Sequence, residues 1–139
     1  MTGLTVHASA VALLGRGVLI LGASGAGKSS LALELMALGA RLVSDDQTTV
    51  TARRGVLYAS APAPIRGLIE ARGIGLLRAD PVAEAGLVLA IDLDHDEKDR
   101  LPPCREWHAL DCALPLVLRV RGAHFSAGII QYLKAGRAT

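Results

Sequence analysis

Aromatic side chains are scarce in this chain of 139 residues: one Phe, one Trp and two Tyr. A buried core must therefore be built from Leu, Val, Ile and Ala. A strong charge of either sign is missing as well. The formal net charge is +2, and Arg53-Arg54 is the one adjacent basic pair, placed in a predicted turn. Without basic residues interleaved with aromatics, the chain does not look like a nucleic-acid binder. Cysteine is limited to Cys104 and Cys112, which are too far apart for a C-x-x-C redox or zinc pair. Free thiols of this kind suit a reducing cytoplasm. No apolar run approaches the roughly 20 residues that a membrane-spanning helix needs. The N-terminus has no basic stretch followed by a long apolar one, so no signal peptide is expected. These absences predict a cytoplasmic protein with neither a membrane nor a nucleic acid as partner.

About half of the residues are apolar (51%), enough for one globular domain over 1–139 with one real core. The most informative stretch is Gly22-Ala23-Ser24-Gly25-Ala26-Gly27-Lys28-Ser29, which fits the P-loop pattern G-x-x-x-x-G-K-[ST]. Its flanks suit that role. The apolar run Gly17–Leu21 reads as a buried strand, and Ser30–Leu38 reads as a helix closed by Gly39. Glycines let successive backbone N–H groups turn inward around a phosphate without Cβ clashes. The helix N-terminus adds partial positive charge, Lys28 can reach the β/γ-phosphates, and Ser29 can ligate Mg²⁺.

Two short strand segments, Leu4–Ser9 and Ala10–Leu14, precede the P-loop strand. Beyond its helix, Ala40–Ser44 reads as a strand ending in Asp45-Asp46, and Thr48–Thr51 with Val56–Ala59 reads as a hairpin. Leu68–Leu77 reads as a loop with short strand character, because two glycines disfavour a long helix. A helical turn is expected over Asp80–Ala85, a central strand over Leu87–Leu93, and a charged loop over His95–Pro103. Leu116–Val120 reads as a further strand, and Ser126–Ala135 as a closing helix with Ser126 as N-cap. One long helix among many strands predicts an α/β fold with a mixed sheet.

A phosphate cradle needs Mg²⁺ ligands and a group that handles the nucleophile's proton before it can transfer anything. Asp45-Asp46 ends a strand that follows the P-loop helix, where ligands collect in α/β sheets. Adjacent side chains on a strand face opposite ways, so one acid can meet the nucleotide while the other supports it. A solvated turn at a strand end would read the same way. Asp92, closing an apolar strand, competes as the Mg²⁺-associated acid, although any central strand emerging into a polar loop looks alike. Glu70, followed by Arg72-Gly73, could place a charge pair in a cleft. His7, on a strand among small residues, is as readily a hydrogen-bonded structural residue as a catalytic one.

Taken together, the chain resembles the catalytic domain of HPr kinase/phosphorylase, the bacterial serine kinase that acts on the phosphocarrier HPr. The matching pieces are His7-Ala8-Ser9, the P-loop Gly22–Ser29, Ala32-Leu33-Glu34-Leu35, Arg41–Asp46, Leu68–Gly75 and Asp99-Arg100-Leu101. This resemblance implies a P-loop kinase fold related to that of phosphoenolpyruvate carboxykinase. It implies ATP and Mg²⁺ as cofactors, HPr or an HPr-like phosphocarrier as partner, and a homo-oligomer, typically a hexamer. Asp46 would accept the seryl proton, Lys28 would neutralise the transferring phosphoryl group, and Ser29, Glu70 and Asp45 would serve the metal. His7 and Arg100 correspond to family active-site positions, His7 tuning Asp46 and Arg100 stabilising phosphate charge.

Three features depart from the family pattern. The chain starts almost at the histidine motif, which predicts that the N-terminal regulatory domain is absent, as in short α-proteobacterial forms. The stretch between Glu70 and Arg100 is shortened. The family's loop tied to dephosphorylation has no good counterpart in Arg119–Ser126, so kinase activity is expected without efficient reversal. Two rivals stay open: a small-molecule kinase using the same P-loop, and a nucleotide-sensing module that transfers nothing.

Overall fold

The computed structural model describes residues 3–139. Its centre is set by two strands that are apolar on both sides. Strand β3 (Arg16–Leu21) is buried along its length, and β9 (Glu84–Asp96) pairs with it in parallel. Side chains alternate across a sheet, so each of these strands feeds two cores. Val18 and Ile20 of β3 join one cluster with Leu89 and Ile91, whereas Leu19 joins another with Leu87 and Ala90.

Around this pair the chain builds a nine-stranded mixed sheet. Its main path adds β1 (Gly3–Val6), β5 (Thr48–Arg53) and β6 (Val56–Ser60) on one side of β9. Beyond β3 it adds β2 (Ala8–Leu13) and then β4 (Arg41–Ser44). The long β9 serves two neighbours along one edge. Its first residues pair with β6 antiparallel, and its second half pairs in parallel with β11 (Cys112–Arg119), which carries β10 (Arg105–Ala109) on its far side. The sheet forks at β9 and curls. Helix α1 (Lys28–Ala37) connects β3 to β4 and packs with α2 (Phe125–Ala135) over one face, around Leu31, Leu35, Ile130 and Leu133. The other face holds Ala8, Ala10, Ala12, Val43, Val50, Leu57 and Leu114. Alanines on β2 keep that face shallow, as a core nearly free of aromatics requires. Among the described residues no helix is long and apolar enough to cross a membrane.

The mixed sheet, the P-loop strand and helix, and the Thr48–Ser60 hairpin match the sequence expectation. Three local readings need correction, and one hairpin goes beyond them. Leu68–Leu77 is a separate two-stranded hairpin, β7 (Leu68–Ala71) with β8 (Gly75–Arg78). Gly73, at φ 84°, lets its turn close through Ile74 N–H to Ala71 O. Asp80–Ala85 is not a helical turn. Pro81 bridges to Leu42, the Val82 N–H is taken by Leu42 O at 2.9 Å, and Glu84 already begins β9. Tertiary pairing with β4 thus satisfies the backbone that a helix would have satisfied locally. The β10–β11 hairpin lacks the usual glycine signal, because Leu110 and Asp111 hold its turn at φ 51° and 61°. Helix α2 starts one residue earlier than expected, with His124 at the N-cap position, and the Ser126 hydroxyl donates instead to Glu34 at 2.9 Å.

Candidate active site

The loop from Gly22 to Gly27 joins β3 to α1, and its curvature depends on glycine. Gly25 and Gly27 lie at φ 85° and 104°, and a Cβ on Gly22 would stand 3.0 Å from Ala26 Cβ and 3.3 Å from Leu93 Cβ. No side chain caps α1, and its first turn holds no acidic residue. Its leading N–H groups are left for an anion. Lys28 is buried and folds back over the loop, donating to Gly22 O at 2.7 Å and Ala23 O at 3.0 Å. Two outside groups tether the loop. Asp94 Oδ1 accepts the Ala23 N–H at 3.0 Å, and Arg119 Nη2 donates to Ala26 O.

Asp45 is the structural hub. Only 8% exposed, it accepts from Ser29 Oγ at 2.6 Å and Ser9 Oγ at 2.8 Å through Oδ1. Its Oδ2 accepts the Glu70 N–H at 3.1 Å. The Ser9 hydroxyl in turn accepts the Asp46 N–H at 3.1 Å. One carboxylate thereby ties β2, the end of β4, the start of α1 and β7 together. Asp46 departs from the strand conformation, at φ 67°. This left-handed step breaks the alternation expected along a strand, so both acids line the same cavity. Asp46 is exposed there, and His7 Nε2 donates to its Oδ1 at 2.8 Å.

That cavity, about 340 Å³, brings together Lys28, Ser29, Asp45, Asp46, Glu70 and Arg72 with the P-loop residues Ser24, Gly25 and Gly27. Glu70 and Arg72 are two positions apart along β7 and its turn, the spacing that puts two side chains on one face. Among the described residues they form no ion pair. His7 reaches the cavity through Asp46. Arg100 is not brought in. It lies in the exposed loop beyond β9 and lines neither this cavity nor its neighbour. Asp92 is not brought in either. Its carboxylate is occupied by the Asp94 N–H at 2.7 Å and by His95 Nδ1 at 2.8 Å. The acid that touches the P-loop is Asp94, two residues further on.

Sequence reasoning missed Asp94, Arg119 and the hydroxyl of Ser9 as parts of this machinery. Ser9 stands in the His7-Ala8-Ser9 match, which is a signal for it. Asp94 lies near the end of β9 and Arg119 ends the parallel β11, and only the strand register reveals their reach.

The chain is similar to proteins of one family. The family described as the HPr Serine kinase C-terminal domain matches residues 2–86. The HPr kinase/phosphorylase of Lactococcus lactis subsp. lactis is 40% identical over 104 residues, covering 69% of this chain and 34% of that protein. That of Caldanaerobacter subterraneus subsp. tengcongensis is 45% identical over 94 residues, covering 65% and 31%. The chain thus spans about a third of the length of these relatives. A solved structure of the HPr(Ser) kinase/phosphatase from Coxiella burnetii superposes with a TM-score of 0.76 at 27% identity. The superposition covers 94% of this chain and 93% of that one, and the curled mixed α/β sheet is common to both.

Proposed function

From the premise that the chain belongs to the HPr serine kinase C-terminal-domain family, we propose that it is an ATP-dependent protein serine kinase acting on HPr or an HPr-like phosphocarrier. The observation that carries the reading is the convergence of Lys28, the open N-terminus of α1 and Asp46 on one cavity. The serine hydroxyl enters beside Asp46. Its Oγ–P bond to the γ-phosphorus forms as the bond from that phosphorus to the β–γ bridging oxygen breaks. ADP leaves, and the hydroxyl proton passes to Asp46. His7 donates to Oδ1 of that carboxylate, which fixes its orientation and leaves Oδ2 to take the proton. Lys28 exchanges its two loop carbonyls for phosphate oxygens as the nucleotide binds.

Mg²⁺ fits the donor set. The cavity offers only oxygen ligands, from Ser29, Asp45 and Glu70, and Ser29 Oγ and Asp45 Oδ1 are already 2.6 Å apart. Among the described residues no group of three or more His, Cys, Asp or Glu is placed to hold a metal ion by itself. That suits an ion bound by one or two carboxylates plus substrate phosphates. Three carboxylates facing two cations would otherwise repel a polyphosphate, and a divalent ion supplies the missing positive charge.

A protein acceptor is favoured over a small molecule by the β7–β8 hairpin. Glu70 and Arg72 line the cavity, while Ile74 and Leu76 further along it are 78% and 66% exposed. A folded phosphocarrier can cover both. The free thiols of Cys104 and Cys112 suit the reducing cytoplasm where such an acceptor would be met.

The test is to incubate the protein with labelled ATP, Mg²⁺ and HPr and to map the phosphosite. Asp46→Asn should keep ATP affinity and lower serine phosphorylation by about 10² to 10⁴, the usual worth of a positioned base. Near-normal turnover in that variant would remove Asp46 from its role. Phosphate-driven reversal on the phosphorylated product is expected to be the weaker direction. Arg119–Ser126, where the family's dephosphorylation loop would fall, lines the neighbouring cavity and not the one holding Asp46.

A further inference from the structure

Strands β1, β4 and β10 end the branches of the large sheet. An open strand edge presents unpaired N–H and C=O groups, and proteins usually blunt it with lysine, proline, a bulge or a covering segment. Strand β4 is covered in this way. Pro81 bridges to Leu42, and the Arg41 guanidinium donates to Pro81 O at 3.0 Å. Strand β1 starts at Gly3 and carries no charged side chain with which to choose a partner. Strand β10 has none of these protections. It holds no Lys, Pro or Gly, its register with β11 is unbroken, and β11 is its one strand neighbour among the described residues.

The register shows which backbone groups of β10 are free. Ala109 and Cys112 flank the tight turn at Leu110-Asp111, so they exchange hydrogen bonds, as do Trp107 with Leu114 and Arg105 with Leu116. The alternate residues, Glu106 and His108, point their N–H and C=O groups away from β11. Pro115, which has no N–H to give, stands opposite Glu106, where β11 needs none on this side. The side chains of Glu106 and His108 share the exposed face. They are 61% and 69% exposed, with His108 Nε2 lying 3.5 Å from Glu106 Oε1. Trp107 faces the other way, half-buried against the apolar cluster that includes Leu114.

We propose that β10 is a self-pairing edge, along which two copies of this chain join antiparallel across a two-fold axis at Trp107. The strand reads Arg105-Glu106-Trp107-His108-Ala109. Reversed about Trp107, it sets Glu106 of each copy opposite His108 of the other. These are the residues with free backbone groups, so each opposed pair exchanges both N–H···O bonds at about 5.5 Å between Cα atoms. Complementary side chains facing each other across strands add to the pairing. Arg105 falls opposite Ala109, so no like charges meet. The contact is isologous and uses up the β10 edge of both copies. No residue of β10 lines the cavity of Asp46, so both such cavities stay open. Self-pairing at β10 is independent of the chemistry assigned to that cavity.

Sedimentation velocity of the full chain between about 1 and 200 µM, a range suited to a small interface, should show a monomer–dimer equilibrium. Glu106→Lys and His108→Glu each spoil the cross-strand match and should weaken dimerisation about tenfold or more. An equimolar mixture of those two variants should dimerise as the wild type does. The introduced lysine of one copy then faces the introduced glutamate of the other, and one original Glu–His pair is kept. His108→Pro removes an outward N–H and leaves the β10–β11 ladder intact, so it should weaken dimers with the unfolding temperature nearly unchanged. Three results would overturn the assignment: a wild type that stays monomeric throughout, association of any size that neither charge variant weakens, or a mixture that associates no better than its components. The charge variants alter exposed side chains only, and they keep the test decisive if the proline variant does not fold.

Discussion

Asp46 couples backbone conformation to chemistry at a single position. Its φ of 67° turns its side chain into the cavity that Asp45 already lines, and Asp and Asn tolerate that region better than most residues. Asn at this position therefore keeps the backbone and removes the base, whereas a β-branched residue would strain both. Asp45 is a different case. It is a buried acid whose carboxylate accepts three hydrogen bonds, from the Ser9 and Ser29 hydroxyls and the Glu70 N–H. Ser9→Ala should cost roughly 1–3 kcal/mol, because it strips a donor from a buried charge and an acceptor from the Asp46 N–H. Thermal unfolding checks the cost. ATP affinity should change little, since Ser9 does not line the nucleotide cavity. The acidic doublet was legible in the sequence as a candidate pair. Its division of labour was not, because that depends on one left-handed residue that no side-chain pattern announces.

The elements that sequence patterns identified are those whose backbone is satisfied locally or by a regular pair: the β3–α1 unit and the Thr48–Ser60 hairpin. Those that the patterns do not give are stabilised from a distance. Residues 80–85 surrender a local turn for pairing with Leu42. Residues 105–119 form a hairpin whose turn carries Leu110 and Asp111 in place of glycine. The second, which the sequence does not announce, points to a stabilising change. Asp111 is exposed, at φ 61°, and an L-residue in that conformation costs about 1–2 kcal/mol that glycine avoids. Asp111→Gly should raise the unfolding temperature while leaving kinase turnover unchanged. The β7–β8 hairpin reads from sequence only as a loop with short strand character, although Leu68 to Ala71 carries Glu70 and the turn after it carries Arg72, the two residues it gives to the cavity. If its tip meets the acceptor, Ile74→Ser should raise KM for the phosphocarrier severalfold and leave kcat and ATP affinity alone. An unchanged KM would place docking elsewhere.

At the scale of the whole molecule, β9 is the spine. It pairs with β3, β6 and β11, and its far end continues into the loop that holds Glu97. Glu97 ties that loop to the start of β10 through Arg105 at 2.7 Å. Burial pushes its carboxyl upward, but the N–H groups of Asp99 and Lys98 and the nearby Arg105 outweigh this and hold it below its ordinary 4.5. A carboxyl lowered by folding stabilises the native state above its unfolded pKa, and that stability is lost as pH falls through the folded value. Unfolding temperature should therefore be flat near neutrality and should fall on acidification below about 4.5, with Glu97 supplying part of the slope. Glu97→Gln should lower stability at neutral pH and flatten the acid limb. A residual slope is expected from Asp96, which hydrogen bonding to Arg121 lowers as well. Parallel acid limbs in the two proteins would mean that the β9–β10 junction does not contribute to the pH response. The sheet fork would then be held by its apolar faces alone.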